Sequence, residues 1–212
     1  PGKRKTSPNK TSSPGTCRPR SRAERPHVLF FTAFSFHLPF LRMPYPKSMV
    51  APMRKELTRL GADELKTPDA VDAAFADPDG TMLLVINSVC GCAAGSARPA
   101  VAKALASEAE APAPDRLVTV FAGQDLDATD HVRETYLPGI PPSSPFMALF
   151  RDGQPVYIVE RKHIEGREAA AIASDLTEAF EAYCTDEAPP ADAPTRPNVT
   201  PSGPPSTFQA FG

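Results

Sequence analysis

Met82 to Ile86 is an unbroken apolar run of strand length, and two cysteines separated by one glycine stand just beyond it, in the stretch TMLLVINSVCGCAAG from Thr81 to Gly95. The turn residues Asp77-Pro78-Asp79-Gly80 precede the run, so it predicts a buried strand with Cys90 and Cys92 past its carboxyl end. Ala93 to Ser107 is alanine-rich, with Ala94, Ala97, Val101 and Leu105 at helical spacing, which sets both sulfurs at a helix N-terminus. Free N–H groups and the helix dipole stabilise anions there, and such a place lowers a thiol's pKa from about 8.5 toward 7 or below. A thiolate at neutral pH is the nucleophile that thiol chemistry needs.

The spacing is C-x-C. A disulfide between residues two apart closes a very small ring, and geometry outside the preferred range makes a bond easier to reduce, so the pair is expected to exchange thiols readily and to reduce other disulfides weakly. Gly91 is expected to supply unusual backbone angles for this loop. Two buried structural cysteines are the plain alternative, but they leave the glycine and the strand-end position unexplained. Zinc would need four ligands; Cys90 and Cys92 supply two, and Cys184, His131 and His163 lie far off in sequence.

Charge is uneven along the chain. Nine lysines and arginines precede Met43 with Glu24 as the single acid, so in a chain of net charge −2 the remainder, Met43 to Gly212, carries −10. An acidic folded part argues against nucleic acid as a partner. Four cysteines, only two of them close together, do not make a secreted disulfide framework. The 26 prolines cluster toward the two ends. Residues 1–42 are expected to be a disordered or mis-started extension, basic and then apolar from Val28 to Leu41, with the natural start at or near Met43. Residues 185–212 are expected to be a disordered, proline-rich tail.

Between them lies one domain, 43–184. Met49, Met53, Leu57 and Leu60 predict an amphipathic helix ending at Gly61, and Thr67-Pro68 start a second that runs to Phe75. Pro99 is expected to kink the helix after the cysteines. Leu117 to Ala122 reads as a strand parallel to the first, Asp127 as the cap of a short helix from Ala128 to Tyr136, and Phe146 to Phe150 as a third strand. Asp152-Gly153 turns into a fourth, Pro155 to Val159, and Arg167 to Tyr183 closes the domain as a helix. This order predicts an α/β, thioredoxin-like fold: a central mixed four-stranded sheet flanked by helices, with an additional N-terminal helix. Thioredoxin-like proteins place a cis-proline before the third core strand, facing the cysteines, and Ser144-Pro145 stands there. It would turn the Ser144 backbone toward Cys90 to bind an extended substrate. The alternative is a trans proline opening an edge strand.

Asn87 to Gly95 with Ala97-Arg98-Pro99, Val118 to Asp125, Pro142 to Pro145 with Met147-Ala148-Leu149, and Ile164-Glu165-Gly166 together resemble the bacilliredoxins, small thioredoxin-like proteins with a C-G-C site. The similarity runs from about Tyr45 to Cys184. The resemblance implies that Cys90 is the nucleophile that attacks a mixed disulfide between a protein and bacillithiol, and that Cys92 resolves the adduct. It also carries weak disulfide isomerase or reductase activity. The family tends to have histidines where this chain has Lys162 and Arg167, and His163 is expected at the surface.

The expected activity is therefore a cytoplasmic thiol-disulfide oxidoreductase that removes a low-molecular-weight thiol from S-thiolated proteins. Gly91, Ser144 and Pro145 would contact substrate, bacillithiol would be co-substrate, and no bound cofactor, metal or membrane contact of the folded domain is expected. The alternatives are a protein disulfide isomerase or reductase and a non-enzymatic thioredoxin-like module that binds a metal or a partner.

Overall fold

The computed structural model describes residues 44–106 and 111–199, and the expectation for 1–42 lies outside them. Helix α1 (Lys47–Thr58) leads into a two-residue strand β1 (Asp63–Glu64), helix α2 (Pro68–Phe75) and strand β2 (Thr81–Asn87). After the cysteines a π-helical turn (Ala93–Ala97) continues as α3 (Arg98–Leu105), followed by β3 (Arg116–Phe121) and α4 (Leu126–His131), itself extended by a π turn (Val132–Tyr136). Strands β4 (Phe146–Arg151) and β5 (Gln154–Val159), a 3₁₀ turn (Arg161–His163) and α5 (Ala169–Tyr183) complete the order.

The strands lie in the order β1-β3-β2-β4-β5, with β2 parallel to β3, and β4 antiparallel to both β2 and β5. This is the thioredoxin-like arrangement that the sequence predicts, with one more strand. β1 pairs parallel with β3 at the edge, Asp63 beside Val118. Every residue of β2 is buried, because helices cover both faces. Leu83 and Val85 join Leu57 of α1, Val101 of α3 and Ile172, Leu176 and Phe180 of α5 on one side. Met82, Leu84 and Ile86 pack on the other side with Val71 of α2 and Ala128 and Val132 of the α4 segment.

Local signals explain most boundaries. Thr67 caps α2, its hydroxyl accepting from the Ala70 N–H at 3.2 Å, with Pro68 in the first turn. Asp152 and Gly153 take φ of 50° and 73°, as a tight two-residue hairpin between right-twisted strands requires.

Several expectations need correction. The buried row of α1 is Val50 and Leu57, while Met49 is 46 % exposed. The helix starts before Ala93: Gly91 and Cys92 are already helical, the Ala94 N–H donating to the Cys90 carbonyl, and the π turn then interrupts it, closed by the Arg98 N–H donating to the Ala93 carbonyl, with Pro99 just beyond. Pro99 thus stands inside the helix, as expected, and the wide turn just before it is where the regular hydrogen-bond ladder gives way. The N-cap of α4 is Asp125, not Asp127. α5 begins two residues after Arg167, whose side chain instead donates to the His163 carbonyl at 2.8 Å and pairs with Asp175 at 2.7 Å.

The proline-rich tail is also not without structure as far as it is described. Residues 185–199 run beside β5, where the Ile158 N–H donates to the Thr195 carbonyl at 3.0 Å and Arg196 pairs with Glu160 at 2.6 Å. Arg151 adds donors to the carbonyls of Tyr183 and Glu187. A net backbone hydrogen bond and a half-exposed ion pair together contribute on the order of 1–2 kcal/mol. A chain ending at Cys184 should therefore unfold at a lower urea midpoint, by about that free energy, while keeping its far-ultraviolet circular dichroism; an unchanged midpoint would show that the strap adds nothing.

Candidate active site

The site begins where β2 ends. Asn87 is buried, and its Oδ1 accepts from the Ser88 N–H at 2.8 Å and from Arg98 Nη1 at 3.1 Å. Arg98, 3 % exposed, also donates Nη1 to the Ser88 carbonyl at 3.1 Å and grips the Glu56 carboxylate of α1 with Nε and Nη2, at 2.8 and 3.3 Å. Asn87 Nδ2 reaches the Met53 carbonyl. The start of α3, the end of β2 and the middle of α1 are thus tied through one guanidinium. The short turn between them carries the cysteines.

Cys90 and Cys92 are free thiols, both half-buried, with sulfurs 2.7 Å apart. Three groups converge on the Cys90 sulfur: Cys92 Sγ, Ser88 Oγ at 3.2 Å and the Ala93 N–H at 3.4 Å. Burial opposes ionisation of Cys90, but hydrogen bonds from Cys92, Ser88 and Ala93, with the nearby charge of Arg161, outweigh it and draw its pKa down. Cys92 moves the other way. Burial raises its pKa, its hydrogen bond to Cys90 and the charge of that neighbour raise it further, and Arg161 only partly offsets them. The two thiols thus shift in opposite directions, Cys90 down through its hydrogen bonds and Cys92 up through burial and its neighbour.

A cleft of about 470 Å³ opens beside Cys90. Ser144 lines it as Cys90 does, together with Ser88, Tyr45, Arg133 and Arg161. The Ser144-Pro145 bond is cis, and Pro145 is buried at the head of β4. Gly91 is exposed and does not line the cleft. Its φ is not positive and a Cβ there would meet nothing within 4 Å, so the loop does not use glycine for unusual backbone angles. His163 is buried, contrary to the surface position expected: its Nδ1 accepts from the Glu160 N–H at 3.1 Å, and burial lowers its pKa.

Cys184 is remote. It lies by Thr81 at the opposite end of β2, so about 20 Å separates it from the cysteine pair at ~3.3 Å per strand residue. Burial pushes its thiol up to about 11. Sequence reasoning missed Ser88, Arg98, Arg133, Arg161 and Tyr45. The first two fall inside the motif that carried the family resemblance, and a polar residue between strand and nucleophile is a signal that could have been read. The other three arrive from distant segments.

A family model described as disulphide isomerase matches residues 45–184. A protein of Salinibacter ruber named bacilliredoxin is 73 % identical over 174 residues, covering 80 % of this chain and 99 % of that protein. Bacilliredoxins of Koribacter versatilis and Bacillus licheniformis are 50 % and 47 % identical over 140 residues, each covering 66 % of this chain and 94 % and 95 % of their own length.

Because a lower pKa means more thiolate at a given pH, iodoacetamide should label Cys90 ahead of Cys92 at neutral pH, with the two rates converging as the medium becomes alkaline. Ser88→Ala removes one donor to the thiolate and should move the Cys90 profile upward by up to about one pH unit, equivalent to ~1.4 kcal/mol. Site-resolved mass spectrometry against pH reads both effects; earlier labelling of Cys92, or an unmoved profile in the variant, contradicts the assignment.

Proposed function

The chain belongs to the bacilliredoxin family, whose family model is described as disulphide isomerase, and we propose that this thiol-disulfide oxidoreductase removes bacillithiol, or a low-molecular-weight thiol like it, from S-thiolated proteins. The observation that carries the reading is the asymmetry of the cysteine pair. One sulfur, at the wall of a cleft of small-molecule size, has its pKa drawn down by the hydrogen-bonding groups around it, and the second stands 2.7 Å away with its pKa raised.

The Cys90 thiolate attacks the bacillithiol sulfur of the protein–bacillithiol disulfide. That S–S bond breaks, a Cys90–bacillithiol disulfide forms, and the protein leaves as a thiolate that takes a proton from solvent. Cys92, as thiolate, then attacks the Cys90 sulfur; bacillithiol departs as a thiolate and the Cys90–Cys92 disulfide remains, to be reduced by two external thiol groups that leave joined as a disulfide. Ser144, in the wall of the same cleft as Cys90, offers its backbone to the extended substrate chain, and exposed Gly91 leaves the approach to the sulfurs open. Bacillithiol is a co-substrate here, and the chemistry requires neither a bound cofactor nor a metal. The partners are S-bacillithiolated proteins, and a reducing cytoplasm is where such a dithiol would work.

The family model's description favours one other reading, exchange between disulfides within a substrate protein. Reactivation of a scrambled protein at a rate matching dethiolation would support it.

Cys90→Ser should abolish release of bacillithiol from a model protein. Cys92→Ser should still accept the thiol and remain trapped as the Cys90 adduct until an external thiol is added. Mass spectrometry of both variants after incubation decides; an adduct on Cys92 in the first and none on Cys90 in the second would reverse the roles.

A further inference from the structure

The strap of residues 185–199 reaches the active site through one buried carboxylate. It runs beside β5 in the same direction: Glu187 meets Arg151 at the end of β4, Thr195 accepts from the Ile158 N–H, and Arg196 Nη1 meets Glu160 Oε2 at 2.6 Å. Buried Pro197 seats it there. Glu160, 6 % exposed, also takes Lys162 Nζ at 2.7 Å, and it closes the 3₁₀ turn Arg161–His163. Its carboxylate accepts from the His163 N–H, while its own N–H donates to His163 Nδ1 at 3.1 Å. The strap lies beyond residues 45–184, which the family model matches.

The first residue of that turn is Arg161, whose side chain lines the Cys90 cleft. Its backbone N–H donates to Ser143 Oγ at 3.4 Å, and its guanidinium meets Glu165 at 3.3 Å in an exposed pair that holds it weakly. The Arg161 charge favours the ionised form of Cys90 and of Cys92. How strongly it does so depends on distance, because the interaction of two charges falls as they separate. The turn therefore sets where that charge lies, and Glu160 sets the turn. A carboxylate buried this deeply keeps its place only while it is paired. Lys162, 66 % exposed on a flexible stem, is the looser of its two cations; Arg196 comes from a segment that is itself fixed.

We propose that Glu160 and Arg196 are positioning residues for Arg161, so that the strap fixes the Arg161 guanidinium where its charge acts on the Cys90 sulfur. Without the Arg196 charge, Glu160 turns outward to water, the turn loosens, and Arg161 moves away from the cleft. The Cys90 thiolate then loses part of its support although no residue that touches it has changed. The inference goes beyond the dethiolation reading and does not rest on it, because it concerns the readiness of Cys90 to react with any partner.

The test is a double-mutant cycle in the full chain, comparing the unaltered protein with Arg196→Gln, Arg161→Gln and the two together. Alkylation of Cys90 by iodoacetamide, a neutral reagent, is followed against pH by site-resolved mass spectrometry, and the midpoint of each profile is read. Arg161→Gln should raise the midpoint by about 0.5 pH unit or more, and Arg196→Gln by at least about 0.3 pH unit. In the protein that already lacks Arg161, adding Arg196→Gln should raise it by less than about 0.1 pH unit. An unmoved midpoint in Arg161→Gln overturns the proposal without any strap variant having to fold. An unmoved midpoint in Arg196→Gln overturns it as well. So does an additive result, in which Arg196→Gln moves the midpoint equally with and without Arg161, because the strap then acts through its own charge or a general loosening of the domain.

Discussion

Strand β2 has no solvent-facing side, and the active turn follows from that. From Thr81 to Asn87 every residue is buried, so the chain leaves the sheet between helical layers with backbone groups it cannot leave bare. An unpaired buried donor or acceptor costs about 1–3 kcal/mol. Arg98 and Asn87 meet three such demands together: the Ser88 N–H, the Ser88 carbonyl and the Asn87 side-chain oxygen. Glu56 balances the buried guanidinium from α1. The path of residues 87 and 88 is therefore fixed before the first cysteine is reached, and with it the position from which the Ser88 hydroxyl meets Cys90.

What could be read in the sequence was what short-range pattern decides. The buried strand, the hairpin at Asp152-Gly153, the Thr67 cap and the buried row of α5 each follow from a few neighbouring residues. Asp63–Glu64 carries no apolar pattern at all. It becomes a strand because β3 offers it an edge, and the Leu65 N–H continues that pairing to the Thr119 carbonyl. Composition likewise marked residues 185–199 as tail, whereas a backbone bond to β5 and two arginines, Arg196 and Arg151, hold them in place. Gly91 was misjudged for a different reason: the argument concerned the closed disulfide ring, and the free dithiol turn is helical enough not to need it. The cysteines and the Ser144-Pro145 pair are local signals. Arg133, Arg161 and the burial of His163 depend on which loops the fold brings together, and no spacing encodes that.

Three cysteines in one domain show what governs thiol acidity here. All are half-buried, and burial alone favours the neutral thiol in each. At Cys184 it prevails and the pKa rises to about 11 despite a hydrogen bond from Thr81. At Cys90 three hydrogen-bonding groups and a nearby guanidinium reverse the balance. Reactivity is thus written in the turn that Arg98 and Asn87 hold, more than in how deeply the sulfur lies.

The same bookkeeping explains how a pair so close can act in sequence. While Cys90 is a thiolate, its charge and its hydrogen bond help to keep Cys92 protonated, so the two sulfurs do not compete for the same substrate. Once Cys90 has joined a mixed disulfide it carries no charge, and both of those contributions to Cys92 disappear. What then acts on Cys92 is burial, opposed by the charge of Arg161 and the backbone hydrogen bond. The second thiol becomes easier to ionise as soon as there is an adduct for it to resolve. On the proposed dethiolation, electrostatics between the sulfurs themselves would thus order the two steps in this turn.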